Sequence, residues 1–156
     1  MPLLEIPGFG ELELSRLVLD FNGTLALDGA LLPGVAERLA ALAKQYEIHV
    51  LTADTFGSVA KALSGLLCRV AVIPKGGEAA SKLAYVEGLD AKTCACLGNG
   101  ANDRLMLAEA GIGIALIQGE CAATAAVTAA DAVAVDICGA LDLFLYPKRL
   151  TATLRD

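Results

Sequence analysis

The sequence predicts an α/β protein: a three-layer, doubly wound, mostly parallel sheet with a short N-terminal antiparallel extension. Three observations lead to this prediction. Short runs rich in leucine and β-branched residues alternate with alanine-rich stretches at helical spacing. Of the 156 residues, 56% are hydrophobic and only 4% aromatic, so small aliphatic side chains dominate. The length suits one compact domain, and we expect residues 1–156 to form a single core domain.

The first half of the chain predicts three strands of this sheet. Residues 3–14 predict two short extended segments around a Pro-Gly turn, an antiparallel addition to a sheet edge. A buried strand over 16–19 ends at Asp20, and a loop containing glycine and proline follows. The next elements are a helix over 35–46, a strand over 47–51, a helix ending near 66 and a strand over 69–73. Asp54 or Thr55 is positioned to cap the second of these helices.

The second half of the chain repeats this alternation. A helix over 77–88 leads to a strand over 93–97, and the loop GNGAND then opens a helix over 104–110. The remaining elements are a strand over 113–117, a small-residue helix over 121–129, a strand over 132–135 and a helix over 139–146. Six strands separated by helices predict a parallel sheet, because each helix carries the chain back to the same edge.

Charge and hydropathy exclude several functional classes. The formal net charge is −6 and no basic cluster is larger than Lys148-Arg149, whereas nucleic-acid binding requires a basic face. The N-terminal residues lack the basic start and apolar segment of a secretory signal, and acidic residues interrupt each apolar stretch before it reaches about 18 residues. We therefore expect a soluble, cytoplasmic protein that binds neither nucleic acid nor a membrane.

The cysteines and the single histidine are weaker signals. The five cysteines form an odd, scattered set. Cys94 and Cys96 would face the same side of a predicted strand, a spacing that suits a metal or a redox pair, but we favour their interpretation as small buried hydrophobes. His49 has no Cys or His neighbour at ligand spacing, and we expect it to be structural.

Polar residues follow four of the predicted elements, at the sheet edge where ligands bind in such folds. Together they bring a carboxylate, a hydroxyl, an ammonium and a carboxamide–carboxylate pair to one edge. Each short motif occurs often by chance, whereas the ordered set is informative. The set comprises Asp20, Asn22, Gly23 and Thr24 after the first strand, Thr52 and Ala53 after the second, Lys75 or Lys82 at or within the following helix, and residues 98–103 after the fourth.

This set, D-F-N-G-T-L, then L-T, then K, then G-N-G-A-N-D-R-L-M-L, resembles the haloacid dehalogenase-like (HAD) phosphohydrolase superfamily. It is most similar to the branch of P-type ATPase phosphorylation domains and their soluble stand-alone relatives, and the similarity includes the late segment AATAAVTAADAVAV. The resemblance covers nearly the whole chain and implies a HAD-like Rossmannoid fold. The 26 residues between Leu25 and Thr52 and the 29 between Thr52 and Lys82 leave no room for a cap domain.

The resemblance implies a catalytic role for four residues. Asp20 would be the nucleophile that forms an aspartyl-phosphate, and Thr52 would hydrogen-bond a phosphoryl oxygen. Lys82 would neutralise developing charge, since KLAYVEGL has the spacing of the family's lysine helix; Lys75 is the alternative. Asn22 stands where phosphatases of the superfamily usually have the Asp that acts as general acid and base.

The resemblance also implies Mg²⁺ as cofactor. Its expected ligands are Asp20, the carbonyl oxygen of Asn22, and Asn99 and Asp103 in the GNGAND loop. The expected substrate contacts are Gly23, Thr24, Ala53 and Asn102. Asn99 replaces a more usual Asp, so we expect the affinity for Mg²⁺ to be reduced.

The carboxamide at Asn22 predicts a slow enzyme. It cannot transfer a proton, and loss of a general acid or base costs roughly 10²–10⁴-fold in rate. We expect a Mg²⁺-dependent hydrolase of low intrinsic activity that favours good leaving groups. Two other functions compete with this one. The first is a catalytically weakened phosphate- or metal-binding module that regulates a partner, which Asn22 and Asn99 favour. The second is a response-regulator-like phosphoacceptor, which needs an Asp after the third strand, and residues 66–74 contain no Asp.

An open site without a cap predicts two kinds of partner. One is a phosphoprotein, and the other is a phosphorylated small molecule under a lid that a second subunit of a homo-oligomer supplies. The sequence identifies neither the physiological substrate nor the oligomeric state.

Overall fold

The computed structural model describes residues 3–54 and 57–156. Its strands are β1 (Leu4–Ile6), β2 (Gly10–Leu12), β3 (Arg16–Asp20), β4 (Ala26–Leu27), β5 (Ala30–Leu31), β6 (Glu47–Thr52), β7 (Arg69–Val72), β8 (Cys94–Gly98), β9 (Ile112–Leu116) and β10 (Ala132–Ala134). Its helices are α1 (Val35–Leu42), α2 (Ser58–Ala62), α3 (Glu78–Gly88), α4 (Arg104–Glu109), α5 (Thr124–Ala129), α6 (Ile137–Leu145) and α7 (Pro147–Leu154). Short 3₁₀ turns at Ala91–Thr93 and Ala101–Asp103 precede β8 and α4. None of the helices in these described ranges is long and apolar enough to cross a membrane.

Six strands form one parallel sheet in the order β10-β9-β8-β3-β6-β7. This confirms the predicted doubly wound α/β fold. From β3 the chain builds the sheet to one side through β6 and β7, and then continues on the other side through β8, β9 and β10. The loops after β3 and β8 therefore diverge, and ligands bind in the crevice that such a reversal creates at the carboxyl ends of the strands.

The core lies in two layers, one on each face of the sheet. In β3, Leu17 and Leu19 belong to the larger layer, whereas Val18 belongs to the smaller one, and all three are fully buried. Cys94 and Cys96 pack beside Val18 as free thiols, as expected for small buried hydrophobes. Within residues 3–54 and 57–156, no group of three or more His, Cys, Asp or Glu side chains could hold a metal.

His49 occupies a structural position in β6. Its side chain is buried, with Nδ1 2.7 Å from the Tyr85 hydroxyl and Nε2 2.9 Å from a Glu47 carboxylate oxygen. Burial lowers the pKa of the imidazole, and the neighbouring carboxylate only partly opposes this.

Several elements differ in position or length from those that the sequence predicts. The predicted N-terminal antiparallel extension is confirmed as the hairpin β1–β2. The hairpin forms a separate two-stranded sheet, so its predicted addition to a sheet edge is wrong. Helix α1 ends before Tyr46, whose buried ring packs edge-on against Phe144. Helix α2 begins after Gly57, so Asp54 is not its N-cap, and Thr55 lies outside the described residues.

Helix α7 was not predicted at all. Pro147 lies in its first turn, where a proline is tolerated, and Leu150 is its buried anchor. The sequence of this segment is mostly polar, so its apolar stripe is too short to be recognised.

No cap domain separates the described strands that end at the crevice. Between β3 and α1 lies only the hairpin β4–β5, which we call the flap hairpin (residues 26–31). Asp28 and Gly29 at its turn have φ of 51° and 83°, as a two-residue type I′ turn requires.

Candidate active site

The polar strand ends meet in one open cavity of about 560 Å³ at the carboxyl edge of the sheet. Its walls come from the loops after β3, β6 and β8, from the flap hairpin and from α3. The predicted site residues that line it are Asp20, Asn22, Thr52, Ala53, Lys82, Asn99 and Asn102, and Lys75 lines it as well. Gly23, Thr24 and Asp103 lie behind this wall, where Thr24 and Asp103 contact residues that line the cavity.

A buried lysine joins two carboxylates at the floor of the cavity. Lys82 Nζ donates hydrogen bonds to Asp20 Oδ1 at 3.0 Å and to Asp103 Oδ1 at 2.7 Å. Asn102 Oδ1 lies 3.2 Å from the same nitrogen. Burial alone would lower the pKa of Lys82, but the two carboxylates outweigh it and raise the pKa. The lysine therefore remains charged, and the three ionisable groups together carry one net negative charge when both carboxyls are ionised.

This arrangement leaves Asp20 with a strong affinity for positive charge. Burial raises the pKa of Asp20 from 3.8 to about 7, and repulsion from Asp103 adds to the effect. Attraction to Lys82 and the hydrogen bond from Thr24 oppose it. A carboxyl of this kind favours either a proton or a bound cation.

Asn99 and Asp20 present oxygen atoms to the same place. Thr24 Oγ1 lies 3.2 Å from Asp20 Oδ2 and 3.5 Å from Asn99 Oδ1. The Asn99 amide nitrogen donates to the Cys121 carbonyl at 3.0 Å, which orients the carboxamide. Gly23 has a φ of 84°, and a Cβ there would lie 2.5 Å from Asn99 Nδ2. Only glycine therefore allows the loop after β3 to approach Asn99 so closely.

Asn22 and Thr52 each bind a backbone N–H at the cavity wall. Asn22 is exposed, and its Oδ1 accepts a hydrogen bond from Gly29 N at 2.9 Å, which ties the loop after β3 to the flap hairpin. Thr52 Oγ1 accepts from Asp54 N at 3.0 Å. A hydroxyl that accepts from the backbone on one side can donate its own proton toward the cavity.

Asp103 is placed differently from the other predicted metal ligands. It is fully buried, and its Oδ2 accepts from Gly100 N at 2.9 Å and from Asn99 N at 3.1 Å. A Cβ at Gly98 would lie 2.5 Å from this carboxylate, so the first glycine of GNGAND makes room for it. Asp103 therefore shapes its own loop and holds Lys82, whereas Asp20, Asn22 and Asn99 face the cavity.

Gln118 is a residue of this region that the sequence reasoning missed. Its Nε2 donates to the carbonyls of Thr24 at 2.7 Å and Gly23 at 3.2 Å, and its Oε1 accepts from Ile137 N at 2.9 Å. It thus ties the loop after Asp20 to the start of α6. Gln118 directly follows the strand predicted over 113–117, so the rule that selected the other strand-end residues could also have selected it.

Comparisons with known proteins reveal similarity to two uncharacterized proteins of Methanocaldococcus jannaschii. One is 41% identical over 85 residues, which are 52% of this chain and 91% of that protein. The other is 51% identical over 39 residues, which are 25% of this chain and 89% of that protein. No protein-family model matches the sequence.

The solved structures with similar folds include two octulosonate 8-phosphate phosphatases. One is the 3-deoxy-D-manno-octulosonate 8-phosphate phosphatase of Moraxella catarrhalis in complex with magnesium, phosphate and KDO, with a TM-score of 0.72, 15% identity, and coverage of 92% of this chain and 94% of that one. The other is the cobalt-bound deoxy-D-mannose-octulosonate 8-phosphate phosphatase of Haemophilus influenzae, with a TM-score of 0.72, 14% identity, and coverage of 92% and 91%. At these identities the similarity shows a shared fold.

Proposed function

Since this chain belongs to the family of the 41% identical Methanocaldococcus jannaschii protein and has the capless HAD-like fold, we propose that it is a Mg²⁺-dependent phosphohydrolase acting through Asp20. The observation that carries this proposal is the buried contact of Lys82 with Asp20 at the floor of an open cavity. A carboxylate nucleophile beside a fixed ammonium is suited to attack on a phosphoryl group, whose negative charge the ammonium offsets.

The reaction has two displacements at phosphorus. An Asp20 oxygen forms a bond to phosphorus while the bond from phosphorus to the leaving-group oxygen breaks, and that oxygen departs with the electron pair. Lys82, the Thr52 hydroxyl and nearby backbone N–H groups can neutralise charge on the phosphoryl oxygens. A water oxygen then forms a bond to phosphorus while the bond from phosphorus to the Asp20 oxygen breaks. The water proton passes to solvent, inorganic phosphate leaves and the Asp20 carboxylate is restored.

The residues at the cavity fit a hard divalent cation. Asp20, the Asn22 carbonyl and Asn99 offer oxygen donors, and the negative charge shared by Asp20 and Asp103 exceeds what Lys82 neutralises. Bound Mg²⁺ would screen the repulsion between the Asp20 carboxylate and the phosphate and would favour the ionised carboxylate. With an amide rather than a carboxylate at position 99, we infer a weaker site than one built from carboxylates.

The expected turnover is slow because no acid stands at position 22. A carboxamide can neither protonate the leaving oxygen nor activate water, a deficit of roughly 10²–10⁴-fold. The substrates that suffer least are those with good leaving groups, such as acyl and aryl phosphates.

The experiment incubates wild type and three variants, Asn22→Asp, Asp20→Asn and Asp90→Asn, with acetyl phosphate or an aryl phosphate in the presence of Mg²⁺. It measures phosphoenzyme formation and phosphate release. Wild type should acquire one phosphoryl group, seen in the intact mass, and release phosphate slowly, whereas Asn22→Asp should release it faster. Asp20→Asn should do neither. Asp90→Asn is a matched control, because Asp90 is an exposed aspartate outside the cavity and should behave as wild type.

A non-catalytic regulatory module is the second candidate, and the amides Asn22 and Asn99 at the cavity favour it. The same experiment separates the two functions. If neither wild type nor Asn22→Asp forms a phosphoenzyme or releases phosphate, the enzyme is refuted and binding of phosphate or metal remains. If Asp20→Asn is as active as wild type, the nucleophile is misassigned.

A further inference from the structure

The cavity wall beyond Asp20 is predominantly acidic. Four carboxylate residues line it in addition to Asp20, and the lysines among the described lining residues are Lys75 and Lys82. These acids come from separate elements: Asp28 from the turn of the flap hairpin, Asp54 from the loop after β6, Glu78 from the start of α3, and Glu120 from the loop after β9.

The two lysines offset only part of this outer charge. Lys75 is exposed on the same wall and can balance one of the four carboxylates, whereas the buried Lys82 balances none of them. Lys82 is 3% exposed at the floor of the cavity, where Asp20 and Asp103 already bind its ammonium. Asp28 and Glu120, by contrast, are exposed side chains on the cavity wall. In an in-line displacement the leaving group lies opposite the attacking Asp20 oxygen, so it would extend from the floor toward the wall that Asp28 and Glu120 line.

The position of Asp28 is fixed by the backbone. Its φ of 51° belongs to the type I′ turn of the flap hairpin, and the neighbouring Gly29 N–H donates to Asn22. The turn is therefore held to the loop that directly follows Asp20. The turn that carries Asp28 is therefore a fixed part of the cavity wall.

We propose that this cavity selects phosphorylated small molecules whose leaving group is uncharged or cationic, and disfavours those with a further carboxylate or phosphate. This inference rests on the proposed function. The volume of about 560 Å³ lies within the range of small-molecule sites. Two carboxylates about 7 Å from a leaving-group charge in a water-like dielectric change its affinity roughly tenfold, favourably for a cation and unfavourably for an anion.

Two phosphonates of similar size test the selectivity without requiring turnover, because their phosphorus–carbon bond is not hydrolysed. Calorimetry should show that 2-aminoethylphosphonate binds the Mg²⁺-supplemented protein roughly fifty- to a hundredfold more tightly than 3-phosphonopropionate at low ionic strength. The ratio should shrink when salt is added, since the wall carboxylates are exposed.

Removing two charges from the cavity wall tests whether the wall carboxylates cause this selectivity. Asp28→Asn with Glu120→Gln should reduce the ratio roughly fifty- to a hundredfold, because the gain for the cation and the loss for the anion both disappear. Asn tolerates the left-handed conformation at position 28. Glu5→Gln with Glu11→Gln is the matched control, because these exposed side chains face each other on β1–β2 and contribute the same two charges outside the cavity. Its ratio should equal that of wild type.

Equal affinities for the two phosphonates in wild type, or the same change of ratio in both double variants, would overturn the selectivity. If acetyl phosphate still forms a phosphoenzyme on Asp20, only this inference fails. If neither phosphonate binds and no phosphoenzyme forms, the proposed function fails with it.

Discussion

Replacing Asp20 by Asn should stabilise the metal-free protein, and the gain should increase with pH. Burial and the Asp103 carboxylate raise the pKa of Asp20 to about 7 from 3.8, so the folded protein binds this proton more tightly than the unfolded chain does. The stability that the protonated carboxyl confers is fully present below pH 3.8 and is lost as the pH rises through 7. Asn keeps the size of the side chain and an acceptor for Lys82 but carries no charge.

The magnitude follows from the two pKa values. A difference of about 3 corresponds to about 4 kcal/mol once the pH exceeds 7. About 2 kcal/mol of this is already expressed at pH 5, so the gain in the free energy of unfolding should increase by about 2–3 kcal/mol between pH 5 and pH 8. The side chain is only 13% exposed, so solvent screens the effect little.

Urea unfolding in the presence of a chelator, at pH 5 and pH 8, measures this gain. Asp90→Asn is the control, since an exposed aspartate should change stability by less than about 0.5 kcal/mol at either pH. A gain that is the same at both pH values would refute the burial argument. So would a loss of stability at pH 8, because it would mean that the ion pair with Lys82 outweighs burial.

Three further substitutions test the contacts around the site and in the scaffold. Lys82→Met should destabilise the protein by about 3–5 kcal/mol at pH 8 in urea unfolding, because two buried carboxylates lose their cation; an unchanged midpoint would contradict the pairing. Gln118→Ala should cost about 1–3 kcal/mol and slow phosphoenzyme formation, whereas a purely structural role would leave that rate unchanged. Arg38→Met should cost at most about 1 kcal/mol, and less in high salt, because the Arg38–Asp142 ion pair between α1 and α6 is partly exposed.

The sequence could predict the fold because its signals are local. The central strands β3, β8 and β9 are short apolar runs, as expected for strands buried on both faces, and glycine or polar residues lie at or shortly after their ends. Helix α7 could not be predicted because Leu150 is the one fully buried side chain within its described residues, 147–154. A single buried position gives no helical periodicity in the apolar residues. The sequence could not predict that β1–β2 forms a separate sheet, because the position of this hairpin depends on its packing with α7.

The site could be predicted only as a set of strand ends. Asp20 and Thr52 could be selected because each stands at the end of a predicted strand. Sequence spacing favoured Lys82 over Lys75, and both lysines line the cavity. The contacts that give these groups their properties lie far apart in sequence. Asp103 and Lys82 meet across 21 residues, and Gln118 and Thr24 across 94, so the raised pKa of Asp20 and the anchoring of its loop depend on tertiary structure.

Asn22 holds the flap hairpin through a hydrogen bond, but it cannot transfer a proton. Two substitutions can separate the effects of these two properties on turnover. Its Oδ1 accepts the Gly29 N–H at 2.9 Å. An Asp at this position can accept the same hydrogen bond with one oxygen and use the other for proton transfer, whereas an Ala can do neither. We therefore expect Asn22→Asp to accelerate loss of the phosphoenzyme, by up to roughly 10²–10⁴-fold, with KM little changed. Asn22→Ala should leave that rate slow and weaken substrate binding through the released flap hairpin. Equal rates of phosphoenzyme loss in the two variants would mean that residue 22 acts only by holding the flap.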